Sequence, residues 1–206
     1  MMIFSTKDKQ VVLASSSKAR IEYLKKAKIV FDIKKHSINE EKVKKKIKAP
    51  VELSKELAML KAKSVIPTSP QQIIIGSDQV LVCQNKIISK PRTLLEAEKN
   101  LKFLRKRKHT LISSIVAIRM NQTIYKKTCQ AHLKFKDISD KQLKDYLAKN
   151  KETALSCVGS YKIEDNNKYG FIEILEGDYE TIIGFPAKNL INQIKNEKNI
   201  RCRKSS

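Results

Sequence analysis

The sequence feature that most constrains the fold is an apolar run broken by a single acid, Ile73-Ile74-Ile75-Gly76-Ser77-Asp78-Gln79-Val80-Leu81-Val82. An apolar run of strand length is followed by a glycine and then by the acid, after which apolar, partly β-branched residues continue. This pattern predicts a buried strand. The pattern places Asp78 at the end of that strand, where the strands of α/β proteins tend to carry chemistry. A turn aspartate bound to its own backbone is the structural alternative, and this segment alone leaves both open.

A second segment of the same kind lies near the N-terminus. The strand Val11–Ala14 runs into Ser15-Ser16-Ser17, and Arg20–Ala27 has the apolar spacing of an amphipathic helix. The strand, the small polar turn and the helix N-terminus together predict an anion-binding site, to which Arg20 could donate two hydrogen bonds. A serine N-cap beside a solvated arginine is the alternative. The turn lacks the glycines of a Walker loop or a dinucleotide fingerprint.

The rest of the chain alternates between strand and helix patterns without linkers or repeats. Capping boxes open helices at Thr93 and Ser139. This alternation predicts an α/β fold with a twisted mixed sheet flanked by helices. The other predicted elements are the strand Val30–Lys34, the helix Val51–Ile66, the strands Leu111–Met120 and Thr123–Phe135 around an Asn121-Gln122 turn, and a last helix Pro186–Lys195.

The charge of the chain suits a polyanionic partner without identifying one. Formal net charge is +22, from 43 basic and 21 acidic residues, and a hydrophobic content of 41% excludes wholesale disorder. Such an excess attracts nucleotides, nucleic acid or acidic membranes. Only Lys44–Lys46 and Arg105–Lys108 are compact basic runs, and aromatic residues are 6% with no tryptophan. We therefore interpret the charge as a solvated surface, and nucleic acid is not the favoured partner.

Cysteine and histidine usage points to a cytoplasmic protein without a protein-held zinc ion. No Cys-x-x-Cys occurs, which predicts reduced, mostly core thiols. The N-terminal run Met1–Phe4 is too short for a signal sequence, and no apolar stretch is long enough to span a membrane. The residues concerned are Cys83, Cys129, Cys157 and Cys202, with His36, His109 and His132 showing no metal-ligand spacing.

Taken together with later motifs, the two segments resemble the Maf family of nucleotide pyrophosphatases. The likeness spans residues 11 to 195 in the family's order, which is more specific than any single motif. It implies one Maf-like domain over residues 1–206, with two lobes, a central cleft, a boundary near residue 110 and a possible homodimer. The motifs are Ser15-x-Ser17-x-x-Arg20, Gly76-Ser77-Asp78-Gln79, Lys90-Pro91, Gly159-Ser160-Tyr161-Lys162-Ile163-Glu164, Glu176-Gly177-Asp178-Tyr179 and Ile183-Gly184-Phe185-Pro186.

The resemblance also implies a reaction. Ser77-Asp78-Gln79 and the acid at Glu164 look like the branch that hydrolyses 7-methyl-GTP, whereas the dTTP and UTP branch usually has Thr and Gln at the corresponding places. The expected enzyme is a hydrolase of acid anhydrides that uses Mg²⁺ or Mn²⁺, converts a modified nucleotide to its monophosphate and pyrophosphate, and so cleans the nucleotide pool. A dTTP/UTP or inosine-type pyrophosphatase is an alternative within this class. A basic nucleic-acid-binding or cell-division regulatory protein is the alternative from another class.

The resemblance assigns roles to individual residues. Asp78 is the expected general base and a metal-bound carboxylate, and Glu40 is the second metal ligand, with an ordinary surface acid as its alternative. Cleavage between the α and β phosphates needs cations on the oxygens. The expected phosphate-binding residues are Ser15, Ser17, Arg20, Lys61 and Lys90, with a solvated surface lysine as the alternative for Lys61 and for Lys90. The expected specificity residues are Ala19, Gln79 and Glu164.

Several positions depart from the family pattern. Lys18 and Ala19 stand where proline and a bulky or basic residue are usual, and the methyl-GTP branch often has an aromatic residue at the second position. Asn39 replaces an acid before Glu40, and Ser114 replaces a common glycine. Since Asp78 and Arg20 are intact, we expect an active enzyme with altered base preference.

Overall fold

A computed structural model describes residues 10–204, with side chains described through residue 197. The predictions for Met1–Phe4 and for Cys202 therefore lie outside what the structure describes. The strands are β1 (Val11–Leu13), β2 (Phe31–Ile33), β3 (Ile73–Cys83), β4 (Lys86–Ile88), β5 (Lys108–Arg119), β6 (Gln122–Phe135) and β7 (Ile172–Glu176). The helices are α1 (Lys18–Lys26), α2 (Glu40–Lys46), α3 (Pro50–Lys63), α4 (Leu94–Leu104), α5 (Asp140–Lys149), α6 (Lys151–Ser156), α7 (Asn166–Tyr169), α8 (Tyr179–Ile182) and α9 (Lys188–Lys204).

The strands form one mixed sheet, which confirms the predicted α/β class. The order is β2-β1-β3-β5-β6-β7, and β4 pairs with β3. β1 is parallel to β2 and to β3, whereas the pairs β3–β5, β5–β6 and β6–β7 are antiparallel. Leu13, the last residue of β1, pairs with Ile75, so the second half of β3 extends beyond the carboxyl end of β1.

Asp78 does not end a strand, and that prediction is wrong. β3 continues through it because β5 pairs along the strand from Ile74 to Val82, and Asp78 lies opposite Ser114. The glycine serves a different purpose: a Cβ at Gly76 would lie 2.2 Å from the carbonyl oxygen of Ala58 on α3. Gly76 therefore lets α3 lie directly against β3.

Two hydrophobic clusters lie on either side of Asp78 along β3. Ile75 packs with Leu13 and other residues of β1, α1 and α9, whereas Leu81 packs with Phe135 and residues of α4 and α5. Asp78 is therefore a polar position between two apolar groups on one strand. The single domain and its lobe boundary near residue 110 remain predictions; Thr110 itself lies within β5, opposite Val82.

Local capping signals located two helix starts correctly, but not every boundary. Ser139 and Gln142 form the predicted capping box, and Thr93 caps α4. The turn between β5 and β6 lies one residue earlier than predicted, with left-handed backbone at Met120 and Asn121. α9 begins after the predicted start and continues beyond residue 195. Among the described residues, no helix is both long and apolar enough to cross a membrane.

Candidate active site

A cleft of about 660 Å³ opens beyond the carboxyl end of β1, between α1, α3 and the segment that follows α6. Its walls come from stretches of chain that are far apart in sequence, as the resemblance implied. Every residue assigned to the site by sequence lines this cleft: Ser15, Ser17, Ala19, Arg20, Glu40, Lys61, Asp78, Gln79, Lys90 and Glu164. The structure brings these side chains together, while their roles remain predictions.

Two carboxylates share one lysine at the floor of the cleft. The Nζ atom of Lys61 lies 2.6 Å from Oδ1 of Asp78 and 2.8 Å from Oε1 of Glu40. The Lys61 and Asp78 side chains are only 7% and 9% exposed, whereas that of Glu40 is 32% exposed. Buried charges are tolerated when paired in this way. The contact depends on Gly76, because α3 carries Lys61 over β3.

The two carboxylates differ in proton affinity. Burial raises the pKa of Asp78 despite the opposing charges of Lys61 and Arg20. Burial also favours protonation of Glu40, but Lys61 and Lys44 outweigh it and hold the pKa of Glu40 below its usual range. Two acids whose environments separate their pKa values are the usual arrangement for a base beside a permanently charged partner. Asp78 is thus the stronger base of the pair.

The guanidinium of Arg20 is buried and fixed by backbone carbonyls. Its Nε donates to the carbonyl of Gly184 at 3.0 Å, and its Nη1 donates to the carbonyl of Ser77 at 2.7 Å and to Oγ of Ser15 at 3.3 Å. The alternative of a solvated arginine is therefore wrong. Ser17 does occupy the N-cap position of α1, but its side chain makes no capping hydrogen bond.

Gly184 positions both Arg20 and Gln79. Its φ is 79°, and a Cβ there would lie 3.2 Å from Cβ of Gln79 and 3.3 Å from Nη2 of Arg20. Its carbonyl also accepts a hydrogen bond from the hydroxyl of Ser77 at 2.9 Å. The left-handed backbone and the close contacts favour glycine here, which gives the Gly-Phe-Pro segment a place in the site that its sequence did not reveal.

Gln79 is held by the protein through its amide nitrogen. Nε2 donates to the carbonyls of Thr181 and Ile182, at 3.1 and 2.9 Å, and lies 3.1 Å from Oγ of Ser113. The predicted contact with a base edge therefore falls to the amide oxygen. A glutamine oriented in this way presents an acceptor to the cleft.

The remaining predicted residues are less constrained. Lys90 and Glu164 are exposed at the cleft surface, and Ala19 is half-buried in the first turn of α1. Partial burial by the cleft walls lowers the pKa of Lys90, and Arg20 and Lys61 lower it further. Apart from the imidazole of His36, the aromatic ring among the described cleft residues is that of Tyr161; it is 7% exposed, and its hydroxyl lies 2.6 Å from Nε2 of His109. At the position where the resemblance places a ring that stacks on the base, the described cleft has Ala19.

Sequence reasoning missed three residues of the cleft. His36 lies with its Nε2 3.6 Å from Oε1 of Glu40, and Glu152 pairs with Lys18 at 3.3 Å. Cys157, expected to be a core thiol, is half-buried and lines the cleft, whereas Cys83 is buried as predicted. The position of His36 four residues before Glu40 was a usable signal. Nothing local marked Glu152, since its contact joins residues far apart in sequence.

The donor set fits a divalent ion shared with a substrate. Carboxylate oxygens of Glu40 and Asp78 suit hard cations, and Mg²⁺ is usually held by one or two carboxylates together with substrate phosphates. Within residues 10–197, no group of three or more His, Cys, Asp and Glu side chains is arranged to hold a metal ion. Asn39, the departure before Glu40, caps α2 instead by accepting from the Lys42 amide at 3.1 Å.

Comparison with known proteins identifies the family. The family model described as Maf-like protein matches residues 10–197. This chain belongs to the Maf family. A relative named 7-methyl-GTP pyrophosphatase, from Bartonella henselae, is 35% identical over 90% of this chain and 94% of its own length. A Pelagibacter ubique relative named nucleoside triphosphate pyrophosphatase is 34% identical over 91% of this chain and 97% of its own length.

The Maf assignment confirms the family prediction made from the motifs. The names of both relatives agree with the predicted reaction class, hydrolysis of an acid anhydride in a nucleoside triphosphate. They differ in the substrate that they name. Membership of the Maf family therefore accounts for the fold and the reaction class, whereas the preferred nucleotide base depends on the residues that line the cleft.

Proposed function

We propose that this Maf-family chain is a cytoplasmic, metal-dependent nucleoside triphosphate pyrophosphatase that acts on a modified nucleotide, with 7-methyl-GTP as the first candidate. The observation that carries this proposal is the Lys61 ammonium between Asp78 and Glu40, in the same cleft as the Ser15–Arg20 turn. The homodimer and the cytoplasmic location are predictions from the family resemblance and from the thiols.

The triphosphate binds at the end of the cleft where the cations converge. The serine hydroxyls and the N-terminus of α1 supply donors, while Arg20, Lys61 and Lys90 supply positive charge. Because Arg20 is anchored by two carbonyls, it adds charge to the site without the cost of ordering a flexible side chain. Fixed charges of this kind favour the transition state, in which negative charge moves onto the leaving group.

Hydrolysis then proceeds by attack of water on the α phosphorus. Asp78 accepts a proton from the water as the new oxygen–phosphorus bond forms, and the raised pKa makes it an effective acceptor. The bond between the α phosphorus and the bridging oxygen breaks, and its electron pair leaves with pyrophosphate. A divalent ion held by Glu40 and Asp78 would neutralise charge on the phosphate oxygens.

Glu164 is the residue that favours a guanine base in the substrate. A carboxylate can accept from guanine N1–H and N2–H₂, or face the positive charge of a 7-methylated ring, and it suits thymine or uracil less well. The name of the Bartonella henselae relative supports the same substrate. The absence of an aromatic residue at Ala19 removes a stacking contact, so we expect weaker discrimination than an enzyme with that ring would show.

A panel of nucleoside triphosphates, assayed for pyrophosphate with Mg²⁺ or Mn²⁺, tests the proposal. 7-Methyl-GTP should be the preferred substrate, and Asp78→Asn should lower kcat by about 10²–10⁴-fold, the range for loss of a general base. Asp137→Asn is a matched control, since Asp137 pairs with Lys106 outside the cleft. Release of no pyrophosphate from any nucleotide, or equal rates for wild type and Asp78→Asn, would reject the proposal.

Two other outcomes would redirect it. Preference for dTTP, UTP or ITP would keep the reaction and replace the base. Sub-micromolar binding of DNA or RNA with steep salt dependence and no turnover would favour the nucleic-acid-binding alternative instead, because neutralised phosphates release counterions in proportion to their number.

A further inference from the structure

A chain of three hydroxyls joins α3 to the sheet beside Asp78. The hydroxyl of Ser54, on α3, donates to Oγ of Ser114 on β5 at 2.9 Å, and that oxygen lies 2.8 Å from Oγ1 of Thr128 on β6. Ser54 and Ser114 are 0% and 1% exposed. The carbonyl oxygens of Asp78 and Ile112 each lie 3.3 Å from Oγ of Ser54. A buried polar network of this kind specifies one arrangement of the elements that it joins.

Ser114 is the position at which the sequence departs from a glycine that is common in the family. A glycine has no hydroxyl, so it could neither accept from Ser54 nor bond to Thr128. Neither Ser54 nor Ser114 is among the described residues that line the cleft. Any effect of these hydroxyls on a bound nucleotide must therefore pass through another residue.

Lys61 is the residue through which the hydroxyls can act. Asp78 lies directly opposite Ser114 in the antiparallel pair β3–β5, so both side chains lie on the same face of the sheet. Lys61 follows Ser54 by seven residues, which is two helical turns or about 10 Å along the axis, so both lie on one side of α3. That side of the helix makes two polar contacts with the sheet, Ser54 with Ser114 and Lys61 with Asp78.

Two other contacts of α3 with β3 limit its approach but do not fix its position along the strand. The apolar contacts around Val80 have no directional preference. Gly76 removes a steric barrier and so allows the helix to come close. A hydrogen bond, by contrast, weakens steeply when its length or angle changes. The bond between Ser54 and Ser114 therefore restricts sliding and rotation of α3.

We propose that Ser54 and Ser114 are positioning residues, whose hydrogen bond holds α3 at the place along β3 where the Lys61 ammonium contacts Asp78. This inference rests on the proposed function for the reaction that Lys61 serves. The ammonium has little room to adjust, since it lies 2.6 Å from Oδ1 of Asp78 and its side chain is 7% exposed. A displacement of 1 Å in a catalytic arrangement can lower the rate by about 10²-fold.

A double-mutant cycle with Lys61→Met tests whether the hydroxyls act through the lysine. Ser114→Ala should lower kcat/KM for pyrophosphate release by about tenfold in the wild-type background, within the range for a small displacement. In the Lys61→Met background the same change should cost less than about twofold, because an effect that passes through Lys61 is lost with it. Ser54→Ala should behave in the same way. The free energy of unfolding in urea should fall in both backgrounds, so the cycle separates positioning from stability.

Thr110→Val is the matched control. Thr110 also lies on β5, and its hydroxyl lies 3.0 Å from Nδ1 of His132 on β6, but it does not line the cleft. The control should leave kcat/KM unchanged in both backgrounds. An equal loss for Ser114→Ala with and without Lys61, or no loss in the wild-type background, would overturn the inference.

Nuclear magnetic resonance of the Lys61 ammonium gives a second measurement that needs no turnover. A buried, hydrogen-bonded ammonium exchanges its protons slowly, so wild type and Thr110→Val should show a ¹H–¹⁵N resonance that is absent from Lys61→Met. The resonance should weaken in Ser114→Ala and in Ser54→Ala. An unchanged resonance in these variants, or none in wild type, would overturn the inference. Weakening in a protein that releases no pyrophosphate would reject the proposed function and leave the positioning role of the two serines standing.

Discussion

The two ends of the cleft are built differently. At the phosphate end, where we propose that the triphosphate binds, Lys61, Asp78 and Arg20 are buried, and each is held by contacts of about 3 Å or less to other elements. At the base end, Glu164 is exposed in a short turn and Ala19 offers only a methyl group. We therefore expect the phosphate end to determine the reaction and the base end to leave selectivity to a few exposed side chains.

The physical reason lies in how many partners the side chains at each end need. Buried charges need several partners at once, so a change in any of them leaves another unpaired and costly. An exposed side chain can be replaced with little effect on its neighbours. We therefore expect substitutions at the phosphate end to abolish turnover and those at the base end to redirect it.

The largest expected effect is that of Lys61→Met. The change removes the ammonium between Asp78 and Glu40 and leaves two carboxylates facing each other, so it should lower kcat/KM for every nucleotide by about 10²–10³-fold. Steady-state assay of pyrophosphate release measures this. The exposed Lys63, on the same helix, provides Lys63→Met as the control. A loss confined to one base would contradict the division of labour between the ends.

The residues of the cleft could be singled out from sequence where they lie in local motifs. Residue types and spacing made the strand and turn around Ser15–Arg20, and the acid within the run of β3, candidates for a site, and the family resemblance then predicted that they bind phosphate. The sequence also contained Gly76 in this run, but it did not show why a glycine is needed there. Only the packing of α3 shows that the missing side chain lets the helix backbone lie against β3. The expected end of strand at Asp78 failed for the same reason, because pairing with β5 continues the strand.

What could not be predicted depends on contacts between distant segments. The anchoring of Gln79 by the carbonyls of Thr181 and Ile182, and the pairing of Lys18 with Glu152, join residues that no local pattern relates. The role of Gly184 as an acceptor for Arg20 is of the same kind. Tertiary packing decides such contacts, so a single sequence can indicate them only through its resemblance to a known family.

The next effect concerns the attachment of the base-end wall to the sheet. His109 is buried, and its Nε2 lies 2.6 Å from the hydroxyl of Tyr161. Tyr161 belongs to the segment that leads to Glu164. Burial lowers the pKa of His109 to about 4. The unfolded chain takes up a proton near pH 6.5 and the folded chain does not, so the free energy of unfolding should fall as pH drops from 6.5 to 4. The loss attributable to His109 is about 3 kcal/mol.

Urea unfolding at a series of pH values measures this loss, with His109→Gln as the comparison. The variant should lose less stability than wild type between pH 6.5 and 4, and the two curves should run parallel above pH 7. Parallel curves over the whole range would show that the wall does not depend on a neutral imidazole.

Glu164→Gln should have a smaller effect, on selectivity alone. Replacing the carboxylate removes an acceptor for guanine N–H groups, so the kcat/KM ratio of 7-methyl-GTP to UTP should fall about tenfold, the worth of one charged hydrogen bond. Competition assays with both nucleotides give the ratio directly. Glu173→Gln on β7, where the acid pairs with Lys134, should leave the ratio unchanged. Equal loss for both nucleotides would place Glu164 in the phosphate end.

The smallest expected effect is at the Lys18–Glu152 pair, which joins α1 to α6 beside the base end. Both side chains are largely exposed, at 81% and 90%, and the ions are 3.3 Å apart. Solvent screens such pairs, so a double-mutant cycle with Lys18→Ala and Glu152→Ala should give a coupling below about 1 kcal/mol that disappears in high salt. A salt-independent coupling of about 2 kcal/mol or more would mean that the base end is held as firmly as the phosphate end, and the contrast between them would fail.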